Sequence, residues 1–294
     1  MTWWVIVNPA AGNATDLMER TNTALSQLGL DYKLQLSESP EHVAAIVSAG
    51  RDEGVRQFAG VGGDGTAHLI ANGLMLHRWS RPPGLALLPA GSGSDFIRTF
   101  GLPRTLEAAA EHLAAPGWYR SDVMMIEGSF GTRYALNVVE AGVGAAAVNV
   151  AAKMPRWFGA RRYPVAFWLT LPRFRPDVVD VVVDERKNVS GSAIAVIVAN
   201  GQFFGGGMNI APRASVADGK LDVQMFSGPR RKALTVMPRV VRGMHLTHKN
   251  VRRLTGHTVK LSLPEAWPVE ADGELLGTGS VSVTVQPAAI EFKI

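Results

Sequence analysis

The hydrophobic pattern of the first third of the chain shows short β-rich runs, at residues 3–7, 32–36, 58–61 and 85–88, separated by longer stretches of helical spacing. Short runs buried on both faces, alternating with helices, are the signature of βαβ units that feed a parallel sheet. Ser39 followed by Pro40 predicts the cap and first residue of a helix running through residue 49, and Thr105 predicts the cap of another running to residue 115. Ala-Ala-Pro-Gly at 114–117 then breaks the chain.

From residue 119 the pattern changes. Short β segments at 178–183, 193–199, 221–226, 259–263 and 281–285 are punctuated by Gly, Pro and Asp, as in an antiparallel sandwich or curled sheet. One helical interlude is expected over about residues 145–171. The predicted architecture is therefore α/β plus mainly β: a three-layer α/β domain with a parallel sheet over 1–118, and a β-sandwich-like domain over 119–294. The last strand is expected to pack back toward the first domain, with the active site in the cleft between the two. A length of 294 residues suits two domains, each able to bury its own core.

Composition narrows the classes. With 47% hydrophobic and 19% charged residues the chain reads as globular, and the absence of cysteine removes disulfides, thiolate nucleophiles and Cys-type metal sites. The opening apolar run is too short for a signal peptide, which predicts a cytoplasmic protein. The most apolar long window, 135–152, contains Asn137, Glu140 and Asn149, so no segment reads as a membrane span. The net charge of +5 is unevenly placed: six Lys or Arg and no acid lie in 151–175, and nine with no acid lie in 223–264. Such blocks attract anionic partners.

Two glycine-rich loops follow predicted strands. The run 58–61 leads into Gly62-Gly63-Asp64-Gly65-Thr66 and a helix, so backbone N–H groups and a helix start converge where a phosphate would bind. The glycines allow close backbone approach, Thr66 adds a hydroxyl, and Asp64 suits Mg²⁺. A tight strand-to-helix turn with a capping Asp is the plainer reading of the same residues. The second loop, 88–96, reads Leu-Pro-Ala-Gly91-Ser92-Gly-Ser-Asp95-Phe. Neither loop has the Walker pattern, and the dinucleotide fingerprint at Gly60, Gly62 and Gly65 lacks the acid expected about 20 positions later, which disfavours a dehydrogenase.

These loops, together with 7–12 (Val-Asn8-Pro-Ala-Ala-Gly), Asn200-Gly201, 217–222 (Ala-Asp218-Gly-Lys220-Leu-Asp) and Asp272-Gly273-Glu274, resemble the diacylglycerol kinase catalytic-domain family, which includes sphingosine and ceramide kinases. The resemblance covers nearly the whole chain. It implies ATP as phosphate donor and a membrane lipid hydroxyl as acceptor. It implies nucleotide contacts at Asn8, Ser37, Gly62, Gly63, Asp64, Gly65, Thr66, Gly91 and Ser92, and a general base at Glu274 acting with Asp64 and Asp95 around Mg²⁺. A second Mg²⁺ would be held by Asp218 with the carbonyls of Ser215 and Lys220. Taken alone, Asp272-Gly273-Glu274 reads as a polar hairpin turn. His68-Leu69 and Ser94 depart from the family's usual Asn-Glu and Asn at those positions.

The basic aromatic stretch Lys153, Arg156, Trp157, Phe158, Arg161, Arg162 and Tyr163 suits peripheral docking on an anionic inner membrane face, or a helix with a solvated basic face. No nucleic-acid module is recognisable, and the second basic block lacks interleaved aromatics, so nucleic acid is not expected as a partner. Two alternatives remain: an NAD kinase, which shares the Gly-Gly-Asp-Gly-Thr loop, and a catalytically silent nucleotide- or lipid-binding module.

Overall fold

The computed structural model describes residues 2–90 and 94–294, with the side chains of 156, 157 and 160 outside the description. Two compact units are formed, one from 1–121 and 288–294 and the other from 122–287.

In the first unit β1 (Trp3–Val7), α1 (Ala14–Gln27), β2 (Tyr32–Leu36), α2 (Pro40–Asp52), β3 (Gln57–Gly62), α3 (Asp64–Met75), β4 (Gly84–Pro89), α4 (Asp95–Thr99) and α5 (Leu106–Ala114) follow one another. The strands pair in parallel in the order β2, β1, β3, β4. Every residue of β1, β3 and β4 is buried, because successive side chains point to opposite faces and helices cover both. Trp3, Val5 and Val7 share a core with α1 and α5. On the other face Trp4 meets Phe58 edge-on, and Gly50 of α2 lies so close to both rings that a Cβ would collide with them. Ser39 caps α2 through the His42 N–H as expected, whereas Thr105 occupies the α5 cap position without a side-chain capping bond.

The second unit opens within β5 (Trp118–Gly128) and continues through β6 (Gly131–Ala135), β7 (Val138–Gly142), α6 (Val143–Ala152), α7 (Arg162–Thr170), β8 (Asp177–Val183), β9 (Lys187–Ala199), β10 (Phe203–Phe204) and β11 (Met208–Asn209). It ends with β12 (Leu221–Ser227), α8 (Ala233–Val241), β13 (Val251–Gly256), β14 (Thr258–Ser262), β15 (Pro268–Ala271), β16 (Glu274–Thr278) and β17 (Val281–Lys293). Its strands pair antiparallel, with the order β16, β15, β7, β9, β8, β14, β17 forming the main path. β17 then pairs in parallel with β4 through Glu291 and Phe292, residues that belong to the first unit. There the buried Lys293 ammonium donates to the carbonyls of Ala115 and Gly117, closing the chain break after α5.

The expected helical interlude over 145–171 is in fact two helices and a 3-10 stretch. Pro155 lacks an N–H, and Gly159 lies at φ 54° and ψ −137°, so no continuous helix can form. α8 was not expected at all. Period-2 alternation divides β9 between two cores: Val196 and Val198 face the sheet-on-sheet core, whereas Ala195, Ile197 and Ala199 face the layer of α6, α7 and α8. The same alternation on β7 and β15 places Val139, Ala141, Val269 and Ala271 in the sheet core, which turns Glu140 and Glu270 toward the helical side. No helix among the described residues is long and apolar enough to cross a membrane.

Candidate functional site

In the first unit the carboxyl ends of β1, β2 and β3 lie side by side, with Val7 paired to both Leu36 and Val61. Asn8 accepts from the Ala10 N–H and donates from Nδ2 to Thr66 Oγ1 at 2.9 Å. The buried Ser37 hydroxyl donates to the Val7 carbonyl at 3.2 Å. A Cβ on Gly62 would overlap the Thr66 hydroxyl, so glycine is what lets the helix start fold against the strand end. Gly63 caps α3 in extended conformation without a side-chain bond, and its carbonyl accepts from the Thr66 and Ala67 N–H groups at 3.0 and 3.2 Å, so the helix start at Asp64 and Gly65 is where a phosphate would meet the helix N-terminus. Asn8, Ser37, Gly62, Gly63, Asp64, Gly65 and Thr66 are thus brought to one edge of the sheet. Gly91 and Ser92 lie outside the described residues.

Asp64 does two things at once. Its Oδ2 accepts from the Asp95 N–H at 2.8 Å and its Oδ1 from the Phe96 N–H at 3.0 Å. Ser94, the cap residue of α4, makes no side-chain capping bond, so Asp64 supplies the cap from another helix. Asp95 is only 4% exposed and pairs with Arg98 Nε at 3.1 Å. Hard oxygen donors of this kind fit Mg²⁺, which takes one or two carboxylates and completes its shell with phosphate oxygens and water. Among the described residues no cluster of three or more His, Asp or Glu is placed to hold a metal ion.

In the second unit Glu274 begins β16 directly after a two-residue hairpin. Asp272 (φ 51°) and Gly273 (φ 90°) are both left-handed, and Ala271 pairs with Glu274, the geometry for which Asp-Gly is selected in tight hairpins. The turn is fixed from below: the Asp272 carboxylate accepts from the N–H groups of Leu136, Asn137 and Val138 at 2.8, 3.0 and 3.0 Å. Glu274 itself is exposed.

Asp218 accepts from the Lys220 N–H at 3.0 Å, and the Gly219 N–H donates to Asp122 Oδ2 at 2.7 Å. Asp122, only 2% exposed, also donates its own N–H to the Val216 carbonyl at 2.6 Å. The 215–220 turn therefore folds around two carboxylates, of which sequence reasoning found one. Asn200 donates to the carbonyls of Asp122 and Leu136, tying that carboxylate's strand to the segment anchored by Asp272.

Sequence reasoning also missed the polar part of an apolar cavity. Between the helical side of the sheet and α6, α7 and α8 lies a narrow hollow of about 40 Å³, walled by Val143, Phe167, Ile194, Ile197, Phe226 and Val236. Alone it is too small for a drug-sized molecule, and it is the adjoining outer hollow, of about 460 Å³, that reaches the size of small-molecule sites. The two share Tyr163, Phe167, Met208 and Met237, and the outer one carries Arg161 and Trp168. Glu140 and Tyr163 line the inner hollow, and the Tyr163 hydroxyl donates to Glu140 Oε2 at 3.1 Å. Burial pushes the Glu140 carboxyl up to about 7, against the lowering effect of bonds from Tyr163 and the Gly144 N–H. Glu270, opposite Glu140 in the β7–β15 register and fully buried, is pushed well above the carboxylate range by burial and then by the Glu140 charge. The signal was available: Glu140 is the single acid in the apolar window 135–152.

Comparison with known proteins agrees with both halves of this description. The diacylglycerol kinase catalytic domain model matches residues 2–126, and the YegS C-terminal NAD kinase beta sandwich-like domain model matches residues 137–293. The diacylglycerol kinase of Mycobacterium tuberculosis is 28% identical over 97% of this chain and 93% of its own. A protein of Escherichia fergusonii named probable lipid kinase YegS is 23% identical over 90% and 87%. A solved structure from Bacillus anthracis, assigned as a diacylglycerol kinase, overlays with a TM-score of 0.82 at 19% identity, covering 99% of this chain and 97% of that one. With an α/β nucleotide-type unit matched by one model and a sandwich-like unit matched by the other, the chain belongs to the diacylglycerol kinase and YegS family of lipid kinases.

Proposed function

We propose that the protein transfers the γ-phosphate of ATP to a hydroxyl group of a membrane glycerolipid, with diacylglycerol as the first acceptor to test. The observation that carries the lipid acceptor is the largely apolar outer hollow of about 460 Å³ beside α7 and α8, continuous with the inner one through Tyr163, Phe167, Met208 and Met237: each methylene buried there contributes about 0.8 kcal/mol, an environment suited to an acyl chain and not to NAD. The backbone N–H groups of Gly63 and Gly65 and the Thr66 hydroxyl, which Asn8 fixes, would hold phosphate oxygens at the start of α3. Asp64 and Asp95 would orient the metal-bound triphosphate, and Gly91 and Ser92 would complete the nucleotide loop. Mg²⁺, when bound, neutralises charge developing on the transferred phosphoryl group. Glu274, exposed on a hairpin that Asp272 makes rigid, would take the proton from the attacking lipid hydroxyl. Ser215, Asp218 and Lys220, with Asp122 behind them, would hold a second, structural ion.

The acceptor resides in a bilayer, and the second unit carries a surface suited to meeting one. Leu234, Met237 and Val241 recur on one side of α8 while Ala233, Val236 and Val240 face the core; Leu234, Val241, Met244, Trp168 and Leu169 are exposed large apolar residues. Arg230, Arg231, Lys232, Arg239 and Arg242 lie on or beside the same helix. Each basic residue near an anionic leaflet contributes about 1 kcal/mol. This supports peripheral association with the cytoplasmic leaflet.

The test is transfer of labelled γ-phosphate from Mg²⁺-ATP to lipids in mixed micelles, with NAD as a rival acceptor. Label in diacylglycerol that drops about 10²- to 10⁴-fold in Glu274→Gln is the expected result. Label in NAD, or in no acceptor, would sink the proposal.

A further inference from the structure

Two buried carboxyl groups and a tyrosine join the apolar cavity to the hairpin that carries Glu274. Glu140 on β7 and Glu270 on β15 are directly opposed in the antiparallel register and project to the same side of the sheet. Glu140 receives the Tyr163 hydroxyl and the Gly144 N–H at the start of α6; a Cβ at Gly144 would overlap its carboxylate, so this packing requires glycine there. Glu270 Oε2 accepts from the Gly273 N–H at 2.8 Å, inside the turn immediately before Glu274. Its Oε1 is buried without a hydrogen-bond partner. Among the described residues no Lys or Arg forms an ion pair with either carboxyl. The other ionisable groups around the pair are Asp272 in the turn, Glu274 on β16, Tyr163 on α7, and Lys232 on the cavity wall before α8.

Two adjacent buried carboxylates cannot both ionise without severe cost, and the one with more donors keeps the charge. Glu140 has two donors and Glu270 one. We propose that Glu270 is held as a neutral carboxylic acid against the Glu140 carboxylate, and that this pair is the positioning device for the Glu274 hairpin, linked through Tyr163 to the wall of the lipid cavity. The unpartnered Oε1 is then the atom that carries the shared proton toward Glu140. Occupancy of the cavity, sensed at Tyr163, and placement of the base become parts of one network, in which Glu270 and Glu140 are positioning residues. The inference rests on Glu274 being the base.

Infrared difference spectroscopy of the full chain tests the protonation directly: above the Glu140 value of about 7, where Glu140 is ionised, a buried protonated-carboxyl carbonyl band, shifted in deuterium oxide, should be present in the wild type and absent in Glu270→Gln. Kinetics test the positioning. Glu270→Gln, which keeps a neutral group able to accept from Gly273 and donate to Glu140, should stay within about 3-fold of wild-type kcat and lose the fall in kcat at alkaline pH. Glu270→Leu should lower kcat at least 10-fold with the KM for ATP unchanged, the latter reporting an intact nucleotide unit. Tyr163→Phe should raise the KM for lipid and lower kcat together. The inference is overturned if the carboxyl band persists in Glu270→Gln, or if Glu270→Leu retains wild-type kcat while Glu274→Gln is inactive. If Glu274→Gln is itself fully active, the base assignment fails first and the positioning role with it.

Discussion

Replacing Asp272 tests whether the hairpin is a rigid mount or a passive turn. Asp272 is 8% exposed, and its two oxygens satisfy three backbone N–H groups across a sequence separation of more than 130 residues. Leaving a buried donor unsatisfied costs about 1–3 kcal/mol, so Asp272→Ala carries a penalty of at least about 3 kcal/mol, to which an alanine at φ 51° adds about 1 kcal/mol. Asp272→Asn keeps one oxygen for Asn137 and Val138 and turns an NH₂ toward the Leu136 N–H, losing one bond of three, about 1.5–3 kcal/mol. Asp272→Gly loses all three bonds but not the backbone fit, and should fall about 1 kcal/mol short of the alanine variant. At 2–4 °C per kcal/mol for units of this size, thermal denaturation should rank wild type, Asn, Gly and Ala, with the alanine variant at least 8 °C below wild type. Refutation would be an alanine variant melting within 2 °C of wild type, which would mean that the 136–138 segment finds other acceptors or water and that the anchor is dispensable.

Gly62→Ala should raise the KM for ATP at least 10-fold while leaving the lipid KM unchanged, because the added methyl displaces the Thr66 hydroxyl and its bond from Asn8; steady-state kinetics with each substrate varied decides it. Glu140 has its carboxyl raised to about 7 in the folded chain from an ordinary value near 4.5, so its neutral form is favoured by folding. Stability from this group is therefore full below pH 4.5 and lost as pH rises to about 7, on the order of 3 kcal/mol, and urea titrations should show that slope flattened in Glu140→Gln. Leu234→Glu with Val241→Glu should reduce binding to anionic vesicles at least 10-fold and leave the melting temperature within about 2 °C, as both residues are exposed; unchanged sedimentation with vesicles would exclude α8 as the docking face.

The parallel half of the fold was legible because β1, β3 and β4 are buried on both faces and must be continuously apolar, and because Ser39-Pro40 has one helical use. The second half was harder. α8 starts behind three consecutive basic residues and contains Pro238, so its core positions Ala233, Val236 and Val240 are too few to stand out as a period. β9 was expected from residue 193 but begins at Lys187, because its first half is an exposed hairpin with Gly and Ser that carries no apolar alternation. Among the candidate site residues, those in local loops leave a pattern in the sequence and those assembled by pairing do not. Asp122, Glu140 and Glu270 acquire their meaning from partners at 219, 163 and 273, reached through the fold or, for Gly273, through a turn whose geometry sequence leaves open.

The plain and functional readings of the two acidic loops turn out not to compete. Asp64 is a helix cap, as a conservative reading of Gly-Gly-Asp-Gly-Thr supposes, yet the helix it caps is α4, so the bond that satisfies two N–H groups also fixes the spacing between two glycine-rich loops. Asp272-Gly273 is a two-residue hairpin, as the sequence alone favours, and the same positive φ values that define the turn leave Glu274 exposed at its exit while Asp272 points inward to three donors. In both places a structural bond fixes a carboxylate or its neighbour, and in the roles proposed for Asp64 and Glu274 that preorganisation is what phosphoryl transfer would need, since its catalysis is mainly positioning and electrostatics. Substitutions at Asp64 and Asp272 will therefore mix loss of stability with loss of activity. Glu274, whose side chain is exposed, offers the cleaner separation of chemistry from fold.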